Sequence, residues 1–389
     1  MRLGTLMPFE QVPEALAFFT QVGIGKETAR RVTERMGEFI VEIETEEADR
    51  LEREAPAAPA GPPVQQVSVD GAMVPLVGGG WTEVKTLAIG TVEADKEGKA
   101  HTTALSYFSR LAEAERFYPL AELELHRRGT AHAGTICAIV DGADWCQGFI
   151  DVLCPRAVRI LDFPHAAEHL ASAAHAVYGP GTSEASEWLG VHLHELKHGD
   201  PDAVLAALRA LPATTTSDAG QAARTRDGVL NYFEKRRDQL NYAQFQAAGY
   251  PIGSGIVESA NKLVVEARLK GSGMHWGRRN VNPMVGLRAT YCSGRWGELW
   301  AAAWTRFSAR PRRALRERPM ALPSPATSVE ENRSAQPASK ATSPPREPLI
   351  RLERKGLAQN GRPTKDHPWR RALVSRPRPA KIPSAGAKS

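Results

Sequence analysis

The chain has 389 residues, 42% of them apolar, enough for one large domain with appendages or two modest ones around a substantial core. Its net charge of +6 is unevenly spread: from Arg310 onward there are 19 Lys or Arg against 6 Asp or Glu, leaving 31 against 38 for the first 309 residues. No run approaches the ~18 apolar residues of a membrane span, no basic-then-apolar signal opens the chain, and Cys137, Cys146, Cys154 and Cys292 form no CxxC pair, which argues against a membrane protein or a secreted disulfide scaffold and predicts a cytoplasmic protein with reduced thiols.

Residues 8 to 48 read as two helices joined by Gly23-Ile24-Gly25, a helix-turn-helix outline with Lys26, Arg30, Arg31 and Arg35 available to touch phosphates. Two helices with a glycine turn are also common without any nucleic-acid role. The Pro/Ala-rich run 55–63 closes this unit, giving expected segments of 1–54 and a linker.

The period then changes to that of strands. VQQVSVDGAMVPL, WTEVKTLAIGTVEA and HTTALSYFS alternate as three strands in meander order, separated by the glycines 78–80 and a charged turn. An amphipathic helix over about 110–128 follows, then the short apolar run GTICAIVDGA, suited to a buried strand. A helix around Trp145 to Leu153 leads to AVRILDF, a fifth strand ending at Asp162. Three strands, helix, strand, helix, strand is the order of an α/β ribonuclease H-like mixed sheet flanked by helices, and right-handed crossovers leave few other windings.

Residues 166–250 read as an all-helical insertion that interrupts a catalytic domain made of 64–165 and 251–309. The loop GYPIGSG opens a helix, with Gly253 and Gly255 expected to allow a tight turn and Ser254 or Gly255 to cap it. Trp296, Trp300 and Trp304 recur at helical spacing and are expected to be core. From 310 to 389 the composition is Pro-, Ser- and Arg-rich and predicts a mostly disordered basic tail suited to nucleic-acid backbones.

Three acids stand at element ends: Asp70 at the close of the first strand, Asp141 at the end of the fourth, and Glu258 in the first turn of the late helix. An Asp-Gly pair such as Asp70-Gly71 or Asp141-Gly142 is by default a turn, and a lone acid at a helix start is by default a cap. Their positions in this topology point instead to one crevice, since the first and fourth strands of such a sheet are neighbours. Three converging carboxylates are what a pair of Mg²⁺ or Mn²⁺ ions, about 3.5 to 4 Å apart, needs for phosphodiester chemistry. Past Glu258, Asn261, Lys262, Arg268 and Lys270 supply donors and cations for a DNA backbone. In DFPHAAEH, His165 and His169 lie one turn apart, but no second ligand pair accompanies them for a zinc site, so Asp162 and His165 are expected to be accessory groups that orient the crevice.

Taken together, DGAMVP with WTEVK, DGADW, ILDFPHAAEHL, YPIGSGIVESANKLVVEARLKGSGMHW and NGRPTKDHPWR resemble the Kra-type insertion-sequence transposases, relatives of the Mutator-like DDE group, over roughly 8–310 and 360–371. The resemblance implies a bacterial, nucleoid-associated DNA transposase that cuts at element ends, frees a 3′ hydroxyl and joins it to target DNA. It implies dependence on two Mg²⁺ or Mn²⁺ ions, assembly as a homo-oligomer on DNA, and Asp70, Asp141 and Glu258 as the acidic triad and metal ligands. Asp162 and His165 match that group's motif of Cys or Asp, two residues, then His. Members usually carry a longer segment before the helix-turn-helix, a departure that predicts weak recognition of element ends. A junction resolvase on the same fold, and a DNA-binding regulator that keeps the fold without catalysis, are the alternatives.

Overall fold

A computed structural model describes residues 1–212, 219–309, 358–359 and 362–363. Three helices lead, α1 (Arg2–Leu6), α2 (Val12–Thr20) and α3 (Lys26–Glu54), followed by strands β1 (Val64–Pro75), β2 (Trp81–Ala94) and β3 (Ala100–Arg110). Then come α4 (Ala114–Arg127), β4 (Thr135–Val140), α5 (Asp144–Leu153) and β5 (Val158–Leu161). The strands form one mixed sheet in the order β3-β2-β1-β4-β5, with β1, β2 and β3 antiparallel and β4 and β5 running parallel to β1. This is an α/β architecture compatible with the expected ribonuclease H-like arrangement.

The helical stretch expected before the last acid is helical throughout its described part: α6 (Phe163–Tyr178), α7 (Ser183–His198), α8 (Pro201–Ala210), α9 (Ala219–Glu234) and α10 (Tyr242–Ala247). α11 (Gly255–Ala260), a π-helical segment (Asn261–Glu266) and α12 (Ala267–Leu269) run on from one another, and α13 (Arg278–Cys292) and α14 (Trp296–Ala309) follow. No helix among the described residues is long and apolar enough to cross a membrane. The basic tail and the NGRPTKDHPWR motif lie outside the described residues, apart from the antiparallel pair Ala358–Gln359 and Arg362–Pro363.

Strand alternation sorts the side chains of β1. Val67 and Val69 join Leu87, Phe108, Phe117 and Phe149 in a core under α4 and α5, while Ala72 and Val74 face the opposite layer of α3, α11 and α13. In α3, Met36, Phe39, Ile40 and Ile43 fall on one helical stripe and are buried there. The expected separate unit over 1–54 is therefore continuous with the sheet's helical layer; the two helices expected over 8–48 are α2 and α3, with the short α1 before them. Gly37 makes that packing possible: a Cβ there would lie 2.8 Å from Pro283 Cα and closer still to its carbonyl, so α3 and α13 cross almost backbone to backbone.

A buried ionic network locks the same layer. Arg110 donates to Glu44, which also takes Arg295 at 3.2 Å, and both acids of the network, Glu44 and Glu124, are almost wholly buried. The tryptophan helix departs in part from expectation. Trp296 and Trp300 pack partly buried against the core, but Trp304 is 47% exposed, the rings stacking along α14 at centroid spacings of 5.7 and 5.8 Å.

Candidate active site

The β1–β4 ladder ends where Val67 faces Ala138. Three residues further along each chain stand Asp70 and Asp141, at one level, where the two strands part. Asp70 is not at a strand end: β1 continues for five residues because β2 pairs with it all the way to Pro75, and Asp70 faces Thr86 inside that ladder. Asp141 follows β4 directly, as expected, with Oδ1 accepting from the Ala143 amide at 3.0 Å. Its loop is tied to the end of α9 and the residues just past it, since the Tyr232 hydroxyl donates to the Asp141 carbonyl and Arg236 donates to that of Gly142 at 2.5 Å.

The carboxylate of Asp70 is mostly buried. Oδ1 accepts from the Gly71 amide at 2.7 Å and Oδ2 from Asn261 Nδ2 at 2.8 Å. Burial pushes its carboxyl up to about 6, the hydrogen bond from Gly71 opposes this, and the negative charge of Asp141 adds to the rise. The same acids leave their mark on Cys146, whose thiol is driven up by burial first and then by Asp141 and Asp70. It is an inert core thiol.

Asn261 was expected on the DNA backbone. It is instead buried, one turn beyond Glu258 at the start of the π segment, with its amide nitrogen committed to Asp70 and its Oδ1 buried without a hydrogen-bond partner. π turns inside helices are frequent at functional sites. Glu258 occupies the first turn of α11, which packs on β1 and β2, and is exposed. Among the described residues no three His, Cys, Asp or Glu side chains converge as a ready-made cation site. The fold brings Asp70, Asp141 and Asn261 together and leaves Glu258 on the adjacent, solvent-facing turn. Two neighbouring carboxylates beside an unpartnered amide oxygen are hard oxygen donors, the set that Mg²⁺ or Mn²⁺ takes.

Asp162 and His165 meet through the backbone at the start of α6. Asp162 caps α6, its Oδ2 accepting from the backbone amide of His165 at 3.0 Å, while Oδ1 accepts from the Ser254 amide at 2.6 Å. The Asp-x-x-His spacing is thus that of an N-cap and its third residue. The His165 ring lies against that of His169, which stacks on Tyr232 with centroids 4.1 Å apart. Burial first, then the His165 charge, lowers the pKa of His169. The Ser254 hydroxyl makes no cap bond to α11. Gly253 and Gly255 have neither a positive φ nor a close neighbour that would require glycine.

Of the remaining cations, Arg268 lies inside the protein rather than on a surface open to DNA. Its guanidinium is buried between Phe9 and Trp276, donates to the Gly4 carbonyl at 3.0 Å, and is pushed down to about 10 by burial. Lys26 pairs with Glu10, Arg30 with Glu27 and Glu34, and Lys270 with Glu266, whereas Arg31 and Lys262 are exposed. Lys26, Arg30 and Arg268 line one cleft of about 560 Å³ with Trp276 and His275, so distant stretches of sequence do meet there. The acid that sequence reasoning missed is Glu83, the middle of WTEVK. Its charge adds to the rise at Asp70, and its only sequence signal was a place on the same face of β2 as Lys85. No family model and no curated protein matches the chain.

Proposed function

We propose that this chain is a DDE-type DNA transposase of ribonuclease H-like fold, cutting phosphodiesters at the ends of an insertion sequence and joining the freed 3′ hydroxyl to target DNA. The observation that carries the proposal is the placement of Asp70 and Asp141 at one level on adjacent parallel strands, just past their last shared ladder rung. Support also comes from the mixed sheet order and from a late helix that sets Asn261 on Asp70 with Glu258 one turn before it.

In this function Asp70 and Asp141 hold divalent metal, Mg²⁺ or Mn²⁺, as a pair, with Glu258 completing the site from α11 once DNA is bound. When bound, the ions supply activation of the attacking oxygen and stabilisation of the leaving one. The chain's own residues hold the geometry. Asn261 fixes the plane of the Asp70 carboxylate, the Gly71 amide fixes its other oxygen, and Tyr232 with Arg236 fixes the loop of Asp141. Lys262 is the exposed cation nearest in sequence to Glu258 and is suited to the scissile strand's backbone. Lys26, Arg31 and the basic stretch after Arg310 add contacts to element-end and target DNA, held by a homo-oligomer.

The test is a duplex carrying the DNA that flanks the gene on either side, incubated with the full chain and Mg²⁺. Cleavage that depends on the cation and vanishes in Asp141→Ala is expected, together with strand-transfer products. Cleavage without joining would make the protein a nuclease of the same fold, and binding without cleavage would make it a regulator.

A further inference from the structure

Gly71 has an ordinary strand conformation and faces Lys85 within the β1–β2 ladder, so no turn explains why it is glycine. Space does. A Cβ on Gly71 would lie 2.7 Å from Glu83 Cδ and 2.9 Å from its Cγ, and would strike the carboxylate oxygen. Glu83 therefore lies across β1 through the gap that Gly71 leaves, beside the residue that follows Asp70.

Glu83 is held there by Lys85, whose ammonium is 2.6 Å from its Oε2 and sits 5.1 Å from the Trp145 ring centroid. Lys85 is itself only 6% exposed. A buried lysine beside a half-exposed glutamate, next to two further acids, leaves negative charge in excess around the point where β1 and β4 part. On the acceptor side, Asn261, which donates to Asp70, keeps its own Oδ1 buried without a hydrogen-bond partner.

Resting on the proposed function above, we propose that Glu83 is a further cation-binding carboxylate of the Asp70–Asp141 site, admitted across β1 by Gly71 and kept in place by Lys85 until a divalent ion takes it. Glu83 exchanges its ammonium partner for the ion, and Lys85 keeps its place beside Trp145.

The experiment is titration of Mn²⁺ alone into the full chain, followed by paramagnetic resonance or calorimetry, without DNA. Asp70→Asn and Asp141→Asn are expected to abolish tight binding. Glu83→Gln and Gly71→Ala are expected to weaken it by about tenfold or more, the range seen when groups supporting a metal are removed. Gly71→Ala displaces a flexible side chain rather than backbone, so it keeps the fold, and melting in EDTA checks this for both variants. Wild-type affinity in Glu83→Gln and Gly71→Ala, with binding lost in the two aspartate variants, overturns this inference and leaves the proposed function standing. Unchanged Mn²⁺ binding in all four variants, or none in the unaltered chain, overturns both.

Discussion

Replacing Asp70 by asparagine is expected to stabilise the fold while removing the proposed activity. The carboxyl of Asp70 is raised from its ordinary 3.8 to about 6 in the folded chain, chiefly by burial. A folded state that holds this proton more tightly than the unfolded one is favoured below pH ~4, and loses that advantage as pH climbs through ~6. The difference is worth about 3 kcal/mol at pH 7 and above, at ~1.4 kcal/mol per pH unit. Asparagine carries no charge to bury, and its amide can donate to Asn261 Oδ1, unpartnered now, if the Asn261 amide turns over. The gain is expected to be near zero at pH 4 and to grow to the full amount by pH 7. In a unit of this size that corresponds to roughly 5 °C in melting temperature. Calorimetric or urea melts of both proteins in EDTA, from pH 4 to pH 8, measure it. A gap that is constant with pH, or a less stable Asp70→Asn protein at pH 8, would refute the burial argument. Adding Mg²⁺ should then raise the melting temperature of the unaltered protein and not of the variant, because only a state that binds the ion is stabilised by it.

Glu258→Gln is expected to abolish Mg²⁺-dependent cleavage while DNA affinity in a gel shift stays within about threefold, since the side chain keeps its shape and loses only its charge; normal cleavage would remove Glu258 from the site. Glu44→Ala should destabilise the protein by about 3–5 kcal/mol in urea, because it strands the buried Arg110 without its acid. A loss under 1 kcal/mol would mean that water reaches the network. Truncation after Ala309 removes 19 basic residues and should flatten the dependence of DNA affinity on salt. An unchanged slope would show that the tail takes no part in binding.

The five strands and their order were legible because the first three read with a period of two, the last two as short buried runs, and right-handed crossovers left few alternative windings. Asp141 was legible for the same reason, as the residue after a short apolar run. Asp70-Gly71 was harder. The dipeptide usually signals a turn, whereas here the glycine serves a side chain arriving from the neighbouring strand, a cause that no local pattern carries. Arg268 illustrates the converse: a cation in a polar-looking stretch lies inside because Phe9, more than 250 positions away, folds over it. The stripe Met36, Phe39, Ile40, Ile43 could have warned that α3 belongs to the core, since a free recognition helix has no use for so continuous an apolar face. The π segment that delivers Asn261 left no trace in composition at all.

Asp162 receives one amide from the first turn of α6 and another from the residue just before α11, and Phe163 donates to the Ile252 carbonyl at 3.0 Å. The long helical excursion between them thus leaves and rejoins the sheet at a single pinned gate, like text held between brackets. Both ends of the excursion are thus set by one carboxylate at the close of β5, while its interior reaches back through Tyr232 and Arg236 to steady the loop that carries Asp141.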